Sequence, residues 1–144
     1  MNILIIEDHK PSAAALKRVL TQKFNGAATC YIAETLAEGL KMTRDYSIDI
    51  TLLDLCLPDS TVDEVIKSIP KFTPPVIVIT DLDDENNELE IRCYEYCAQN
   101  FFPKQVLRQK LHQNTGADLL SAITKSYWRN SLPKMRIERE KNSI

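Results

Sequence analysis

The sequence predicts an α/β fold in which a parallel sheet of five strands has helices on both faces. Two observations lead to this prediction. Five short apolar runs alternate along the 144 residues with stretches whose apolar residues recur at helical spacing. The links between these segments are short, and strands that alternate with helices in this way pair in parallel through right-handed crossovers. The length suits one domain with a core of its own.

The predicted strands are short apolar runs, several of which stop at polar residues. The third run and the fourth are apolar at both parities, which suits strands that helices cover on both faces. Pro58 follows the third run, and a proline cannot donate to a ladder of hydrogen bonds. In chain order the strands are predicted at residues 2–6, 29–33, 48–53, 76–79 and 99–102.

The helices between the strands are predicted from apolar spacing and from residues that favour helix ends. Thr35 and Glu38 form a capping box, and Ser60 is expected to cap the third helix. Acidic residues favour the start of a helix, so the fourth should begin at Asp83 or Asp84. The helices are predicted at residues 11–24, 35–44, 60–69 and 83–96, followed by a last helix that Thr115 caps and that turns Leu119, Leu120, Ile123 and Tyr127 inward.

Composition excludes several classes of protein. Net charge is −2 and the pI is about 5.7, so no broad basic field is present and we expect no direct nucleic acid binding. Only three glycines occur, none close to another, which excludes a glycine-rich phosphate cradle. The first residues lack the basic start of a signal peptide, and no apolar run has membrane-spanning length. We therefore expect a cytoplasmic protein that does not engage a membrane, with its four cysteines reduced.

Chemically reactive side chains follow four of the predicted strands. Glu7 and Asp8 follow the first strand, Asp54 the third, Thr80 the fourth and Lys104 the fifth. The carboxyl ends of parallel strands share one edge of the sheet, where ligands bind, so these groups should meet. Clustered carboxylates repel one another unless a cation neutralises them, and oxygen ligands favour Mg²⁺.

A carboxylate beside a divalent ion can accept a phosphoryl group as an acyl phosphate. Asp54 is the candidate acceptor, and Mg²⁺ would bridge Asp8, Asp54 and a phosphoryl oxygen. Lys104 would pair with a second phosphoryl oxygen, and the Thr80 hydroxyl would hydrogen-bond the third. His9 is interpreted as a solvated loop residue.

The pattern resembles the response-regulator receiver family of two-component signalling. The likeness covers about residues 1–128, with the motifs in the family's order at the ends of the matching elements. It is carried by Glu7-Asp8, by the run Leu52-Leu53-Asp54-Leu55-Cys56-Leu57-Pro58-Asp59, by Thr80 after Val76-Ile77-Val78-Ile79, and by Lys104.

The resemblance implies a fold and a set of roles. It implies a flavodoxin-like, doubly wound sheet with strand order 2-1-3-4-5 and phosphorylation of Asp54 by a histidine kinase or a phosphotransfer protein. It implies Mg²⁺ held by Asp8, Asp54 and the backbone carbonyl of Cys56. Glu7 would act on the ion through water or through these ligands.

The resemblance also implies a conformational switch. Thr80 and Phe101 match the family's switch pair, in which the hydroxyl moves toward the phosphoryl group and the aromatic ring turns inward.

Three features depart from the family pattern. Asp81 stands where a small residue is usual after the switch hydroxyl, and an extra carboxylate there would repel a phosphodonor. Pro103 precedes Lys104, whereas the family's proline usually follows the lysine. Cys97 occupies the position of a glycine that usually precedes the fifth strand.

These observations lead to a functional prediction with two alternatives. We expect a receiver domain at residues 1–129 and a polar tail at 130–144 without an output domain. The receiver would catalyse only its own phosphorylation and slow self-dephosphorylation, and would signal to an unknown downstream protein, with a homodimer as a further possibility. One alternative is a degenerate receiver, not phosphorylated, that serves as an interaction or dimerisation module. A small-molecule hydrolase is disfavoured, because Cys56 stands where such an enzyme would need a second acid.

Overall fold

A single parallel sheet organises the protein. In a computed structural model, which describes residues 1–104 and 119–125, five strands pair in the order β2-β1-β3-β4-β5. All four pairings are parallel, as predicted. The strands are β1 Asn2–Ile6, β2 Thr29–Ala33, β3 Ile50–Leu53, β4 Val76–Thr80 and β5 Asn100–Pro103, and the helices are α1 Lys10–Lys23, α2 Leu36–Asp45, α3 Val62–Ser68 and α4 Glu88–Glu95. The flavodoxin-like order 2-1-3-4-5 is therefore confirmed.

The three central strands are apolar at both parities because the sheet has a core on each face. Leu4 and Ile6 lie in a core with residues of α3 and α4, whereas Ile3 and Ile5 lie in the opposite core with Leu20 of α1. Every residue of β3 and β4 is buried. Residues 119–125 are helical, and Leu119 and Ile123 are buried in the same core as Leu20, as expected.

Three local details differ from the sequence-based predictions. β3 begins at Ile50, two residues later than expected, and Thr61 rather than Ser60 caps α3 by accepting a hydrogen bond from the Glu64 amide. The helix α4 begins only at Glu88, after Asn87 adopts a left-handed conformation with φ of 57°. Short polar segments with several capping residues allow more than one start for a helix, and the backbone decides between them.

Three predicted features lie outside the described residues. They are the helix cap at Thr115, the inward position of Tyr127 and the polar tail at residues 130–144. Among the residues that the structure does describe, no helix is long and apolar enough to cross a membrane.

Candidate functional site

The carboxyl ends of β1, β3, β4 and β5 meet around one cavity of about 340 Å³. The chain leaves β1 toward β2 on one side and enters β3 on the other, so the cavity lies where the strand order reverses, the usual ligand position in an open parallel sheet. The described residues that line it are Glu7, Asp8, His9, Ser12, Asp54, Cys56, Asp81 and Lys104. Four of the five residues predicted from strand ends therefore lie in one place.

Lys104 joins two carboxylates on the floor of this cavity. Its Nζ lies 2.8 Å from Asp54 Oδ2 and 2.5 Å from Glu7 Oε2. The side chains of Asp54 and Glu7 are only 4% and 8% exposed, and that of Lys104 is 13% exposed. Because buried charges are stable only when they are paired, the ammonium compensates both acids at once.

Backbone amides satisfy the remaining oxygens of the two buried acids. The Cys56 amide donates to Asp54 Oδ1 at 3.1 Å, and the His9 amide donates to Glu7 Oε1 at 3.2 Å. Each carboxylate thus has one oxygen on the ammonium and the other on a nearby amide. This arrangement fixes both side chains before any ligand binds.

Burial and charge shift three pKa values in the cavity. Burial raises the pKa of Glu7 to about 7, even though the hydrogen bond from Lys104 opposes the shift. Burial alone would lower the pKa of Lys104, but its hydrogen bonds to Asp54 and Glu7 outweigh burial and raise the pKa above its usual range. Burial, together with the nearby Asp54 charge, raises the pKa of the Cys56 thiol. The ammonium therefore stays charged at neutral pH, and the thiol is not a thiolate.

Three carboxylates have the spacing of a cation site. One oxygen from each of Glu7, Asp8 and Asp54 lies within 4.8 Å of the other two. In a six-coordinate Mg²⁺ site no two ligand oxygens are more than about 4.2 Å apart, so these three would have to move closer together to contact the ion directly, or one of them would reach it through water. The donors are all carboxylate oxygens, which suit Mg²⁺ better than a transition metal. Asp8 is exposed and so leaves one side of the set open to solvent.

Thr80 lies at the end of β4 but is not among the residues that line the cavity. Its side chain is buried, and its Oγ1 accepts a hydrogen bond from the Leu82 amide at 3.1 Å. This bond uses an oxygen lone pair and does not consume the hydroxyl proton. Phe101 lies opposite Val78 in the sheet, and its partly buried side chain packs against the core.

Sequence reasoning missed the role of His9. The residue is the N-cap of α1: its Nδ1 accepts a hydrogen bond from the Ser12 amide at 3.3 Å and lies 2.6 Å from the Ser12 hydroxyl. Its own amide contacts Glu7. The signal was available, because a capping side chain is expected just before a helix that carries Pro11 in its first turn.

Asp81, which the sequence singled out as a departure, lies on the exposed rim of the cavity. Cys97 adopts a left-handed conformation with φ of 73°, which explains why glycine would suit that position.

Comparisons with known proteins agree with this architecture. Residues 3–116 match the family described as "Response regulator receiver domain". The "Cell cycle response regulator CtrA" of Brucella ovis is 26% identical over 113 residues, which are 74% of this chain and 47% of that protein. The chain thus spans about half the length of the curated relatives it matches.

Two solved structures extend the comparison. A response regulator receiver domain protein from Clostridium thermocellum is 26% identical with a TM-score of 0.72, and the match covers 91% of this chain and 97% of that one. A response regulator from Burkholderia pseudomallei, solved with a phosphorylated aspartic acid and a calcium ion, is 17% identical with a TM-score of 0.68 over 92% of this chain and 72% of that one. With the family match spanning most of its length, this chain belongs to the response regulator receiver family.

Proposed function

We propose that this receiver domain accepts a phosphoryl group on Asp54 in a Mg²⁺-dependent reaction. The observation that supports the proposal most directly is the contact of 2.8 Å between Lys104 Nζ and Asp54 Oδ2, beside two further carboxylates at cation-binding distance. Asp54 is a buried acid beside an ammonium, and the neighbouring carboxylates would attract the divalent cation that a phosphoryl group needs.

Asp8 and Asp54 would hold Mg²⁺, with the backbone carbonyl of Cys56 as a third ligand and Glu7 acting through water or through these ligands. When bound, the ion would neutralise charge on the phosphoryl oxygens. The donor set fits this use, because the carboxylates leave one exposed side through which a phosphoryl oxygen can reach the ion.

In the transfer step, an Asp54 carboxylate oxygen forms a bond to phosphorus while the bond from phosphorus to the donor breaks. The electron pair of the broken bond leaves with the donor atom, which is a histidine nitrogen in a kinase or a phosphotransfer protein. Lys104 would remain charged and move from the Asp54 carboxylate to a phosphoryl oxygen, a shift that its position supports. No other covalent step is needed.

Thr80 would bind a further phosphoryl oxygen. Its hydroxyl is outside the cavity, so it would leave the Leu82 amide and move toward the phosphoryl group. We propose that Phe101 responds by turning inward, because its ring is only partly buried and lies next to β4 in the sheet. The resulting change in surface would be read by a downstream protein.

Two observations from relatives support the proposal. The Burkholderia pseudomallei protein carries a phosphorylated aspartic acid in its solved structure, and CtrA is named as a response regulator. Receivers of this family interact with kinases or phosphotransfer proteins and with downstream targets. We propose the same classes of partner here, in the cytoplasm, with a homodimer as a further possibility.

The test is to incubate the protein with Mg²⁺ and acetyl phosphate and to follow the intact mass. We expect one phosphoryl group to be added in wild type, none in Asp54→Asn, and none after Mg²⁺ is chelated. Asp45→Asn is a matched control, because this exposed acid ends α2 ahead of the start of β3, whereas the cavity lies at the carboxyl ends of the strands and Asp45 does not line it. An unmodified wild type that binds no Mg²⁺ would instead favour the degenerate interaction module.

A further inference from the structure

His9 contributes a side chain to the cavity that the proposed transfer of a phosphoryl group does not use. The residue is exposed at the rim of the cavity and is held at two points. Its amide donates to the buried Glu7 carboxylate on the floor, and its ring caps α1 through Nδ1. The ring is therefore fixed in place, and Nε2 is the nitrogen that remains for a ligand.

The cap determines which ring nitrogen carries the proton. Nδ1 of His9 accepts a hydrogen bond from the Ser12 amide at 3.3 Å, and because an amide can only donate, Nδ1 has no proton of its own. The Ser12 hydroxyl lies 2.6 Å from the same nitrogen and must then donate to it as well. The ring proton is therefore on Nε2, and the hydroxyl proton of Ser12 is already used.

This Nε2–H group is a kind of donor that the other described side chains at the rim lack. Asp8 and Asp81 have carboxylates, which accept hydrogen bonds when ionised, and the Cys56 thiol is a weak donor. The ammonium of Lys104 is a strong donor, but it lies on the floor and is bonded to two carboxylates. Among the described lining residues, an anionic group at the rim would thus find its hydrogen-bond donor in His9.

In-line transfer brings one part of the phosphodonor to this rim. Asp54 is buried and attacks phosphorus from the floor of the cavity, so the group that leaves lies on the opposite side, toward solvent. On the basis of the function proposed above, we propose that His9 is a specificity-determining residue that favours acyl phosphates as phosphodonors, by donating a hydrogen bond from Nε2 to the leaving carboxylate.

The reaction with acetyl phosphate shows what this hydrogen bond would stabilise. An Asp54 oxygen forms a bond to phosphorus while the P–O bond to the acetyl group breaks, and the electron pair leaves on acetate. Negative charge therefore develops on the leaving oxygen, and a hydrogen bond to that oxygen strengthens as the P–O bond breaks. His9 keeps its proton throughout, because acetate is a weak base.

Phosphoramidate is the internal comparison, because its leaving group cannot use this donor in the same way. It carries an ammonium on phosphorus, and the electron pair of the broken P–N bond goes to nitrogen, so neutral ammonia departs. The ammonium has no lone pair that accepts a hydrogen bond before the bond breaks, and no negative charge develops on the nitrogen afterwards. Loss of the Nε2–H group should therefore slow acetyl phosphate more than phosphoramidate.

The experiment measures initial rates of Asp54 phosphorylation by both donors, at saturating Mg²⁺, in wild type and in two substitutions of His9. His9→Ser keeps a favoured N-cap but has no donor in place of Nε2–H, whereas His9→Gln loses the favoured cap but has an amide N–H of similar reach. For His9→Ser we expect the rate with acetyl phosphate to fall about tenfold relative to the rate with phosphoramidate. We expect His9→Gln to recover most of this loss.

The pair of substitutions separates a hydrogen bond to the donor from the capping of α1. Two results would overturn the inference and leave the proposed function standing. One is a ratio of rates in His9→Ser equal to that of wild type, which is what capping alone predicts, since serine keeps the cap. The other is a rate with acetyl phosphate, relative to phosphoramidate, that is no higher in His9→Gln than in His9→Ser. If neither donor modifies Asp54 in wild type, the proposed function fails together with this inference.

Discussion

Lys104 Nζ lies 2.8 Å from Asp54 Oδ2, although fifty residues separate the two in the sequence. The contact exists because β3 and β5 flank β4 in one parallel sheet and end at the same edge. Glu7, which follows β1, forms an ion pair with the same ammonium. One cation therefore holds the ends of three strands together, and its removal should affect metal binding and phosphoryl transfer in opposite directions.

Lys104→Met should bind Mg²⁺ more tightly and accept a phosphoryl group more slowly. Loss of the ammonium leaves Asp54 and Glu7 without their cation, so we expect affinity for Mg²⁺ to rise about tenfold. The phosphoryl oxygens lose the same charge, and the initial rate with acetyl phosphate should fall roughly a hundredfold. Calorimetric titration measures the affinity for Mg²⁺, and the intact mass followed over time measures the rate of phosphorylation.

The matched control for that substitution is Lys67→Met. Lys67 is exposed and pairs only with Asp63 among the described residues, at 2.9 Å within α3. Lys67→Met should change neither the affinity for Mg²⁺ nor the initial rate with acetyl phosphate. Weaker Mg²⁺ binding in Lys104→Met would contradict the view that the ammonium and the ion share these carboxylates.

Glu7 should make the metal-free protein less stable as the pH rises through neutrality. Burial raises its pKa from 4.5 to about 7, so the folded state holds a proton that the unfolded state has already released. Between these two values the folded state binds more protons, and the free energy of unfolding falls as the pH rises, by at most about 3 kcal/mol. Urea denaturation at several values from about pH 5 to about pH 8 measures this fall in the free energy of unfolding.

The control is Glu7→Gln, which keeps the shape of the side chain but cannot titrate. Its stability should be flatter over the same range of pH. Added Mg²⁺ should stabilise wild type more at high pH than at low pH, since a carboxylate must lose its proton before it interacts fully with a cation. Equal slopes in wild type and Glu7→Gln would show that another group causes the dependence.

The sheet and the grouping of site residues were predictable from the sequence because both follow from general rules. Apolar runs at both parities identify buried strands, and the carboxyl ends of parallel strands share an edge. These rules predict that Glu7, Asp8, Asp54 and Lys104 lie close together, and the structure places all four in one cavity. The roles of these residues in phosphoryl transfer remain predictions.

Helix starts were less predictable, because several nearby residues could cap each one. Ser60 and Thr61 both have a hydroxyl, but only Thr61 has a glutamate three residues later, and the structure uses that pair. The acidic residues before α4 are compatible with a helix that begins at any of several positions near Asp84. Asp84 instead accepts hydrogen bonds from the amides of Leu89 and Glu90, beyond a left-handed turn that the sequence does not announce.

Asp59→Ala should lower stability by about 1 kcal/mol, the usual effect of losing a helix cap. The Asp59 carboxylate, in the loop that follows Asp54, accepts hydrogen bonds from the amides of Leu36 and Ala37 at 2.9 and 3.1 Å. It therefore connects the acceptor loop to the first turn of α2, where a negative charge is favourable. Urea denaturation with an unchanged m-value would measure the loss.

The pH dependence of this substitution has the opposite sign to that of Glu7. Burial opposes the charge of Asp59, but its hydrogen bonds to the two amides outweigh burial and lower the pKa of Asp59 below 3.8. The ionised Asp59 therefore contributes its full stabilisation above about pH 3.8, the pKa of an ordinary aspartate, and this stabilisation is lost as the pH falls further and the carboxylate is protonated. The difference between wild type and Asp59→Ala should shrink in acid. A difference that grew in acid would contradict the capping role.

Gly39→Ala should be destabilising in wild type but tolerated when Ile6 is shortened. A Cβ at position 39 of α2 would lie 2.5 Å from Ile6 Cδ1 and 3.0 Å from its Cγ1. Overpacking of this kind typically costs about 1–3 kcal/mol, whereas alanine in place of glycine favours a helix by about 1 kcal/mol. Because the first effect is the larger, the net change should be a loss of stability.

Ile6→Val removes Cδ1, which is the atom in closest contact, and by itself should cost about 0.5–1.5 kcal/mol. The double substitution should then be more stable than the sum of the two single changes predicts, by roughly 1 kcal/mol. A double-mutant cycle by urea denaturation measures this coupling. Additive effects would mean that α2 can move away from β1 without cost, and that Gly39 is not required for the close contact of this helix with the sheet.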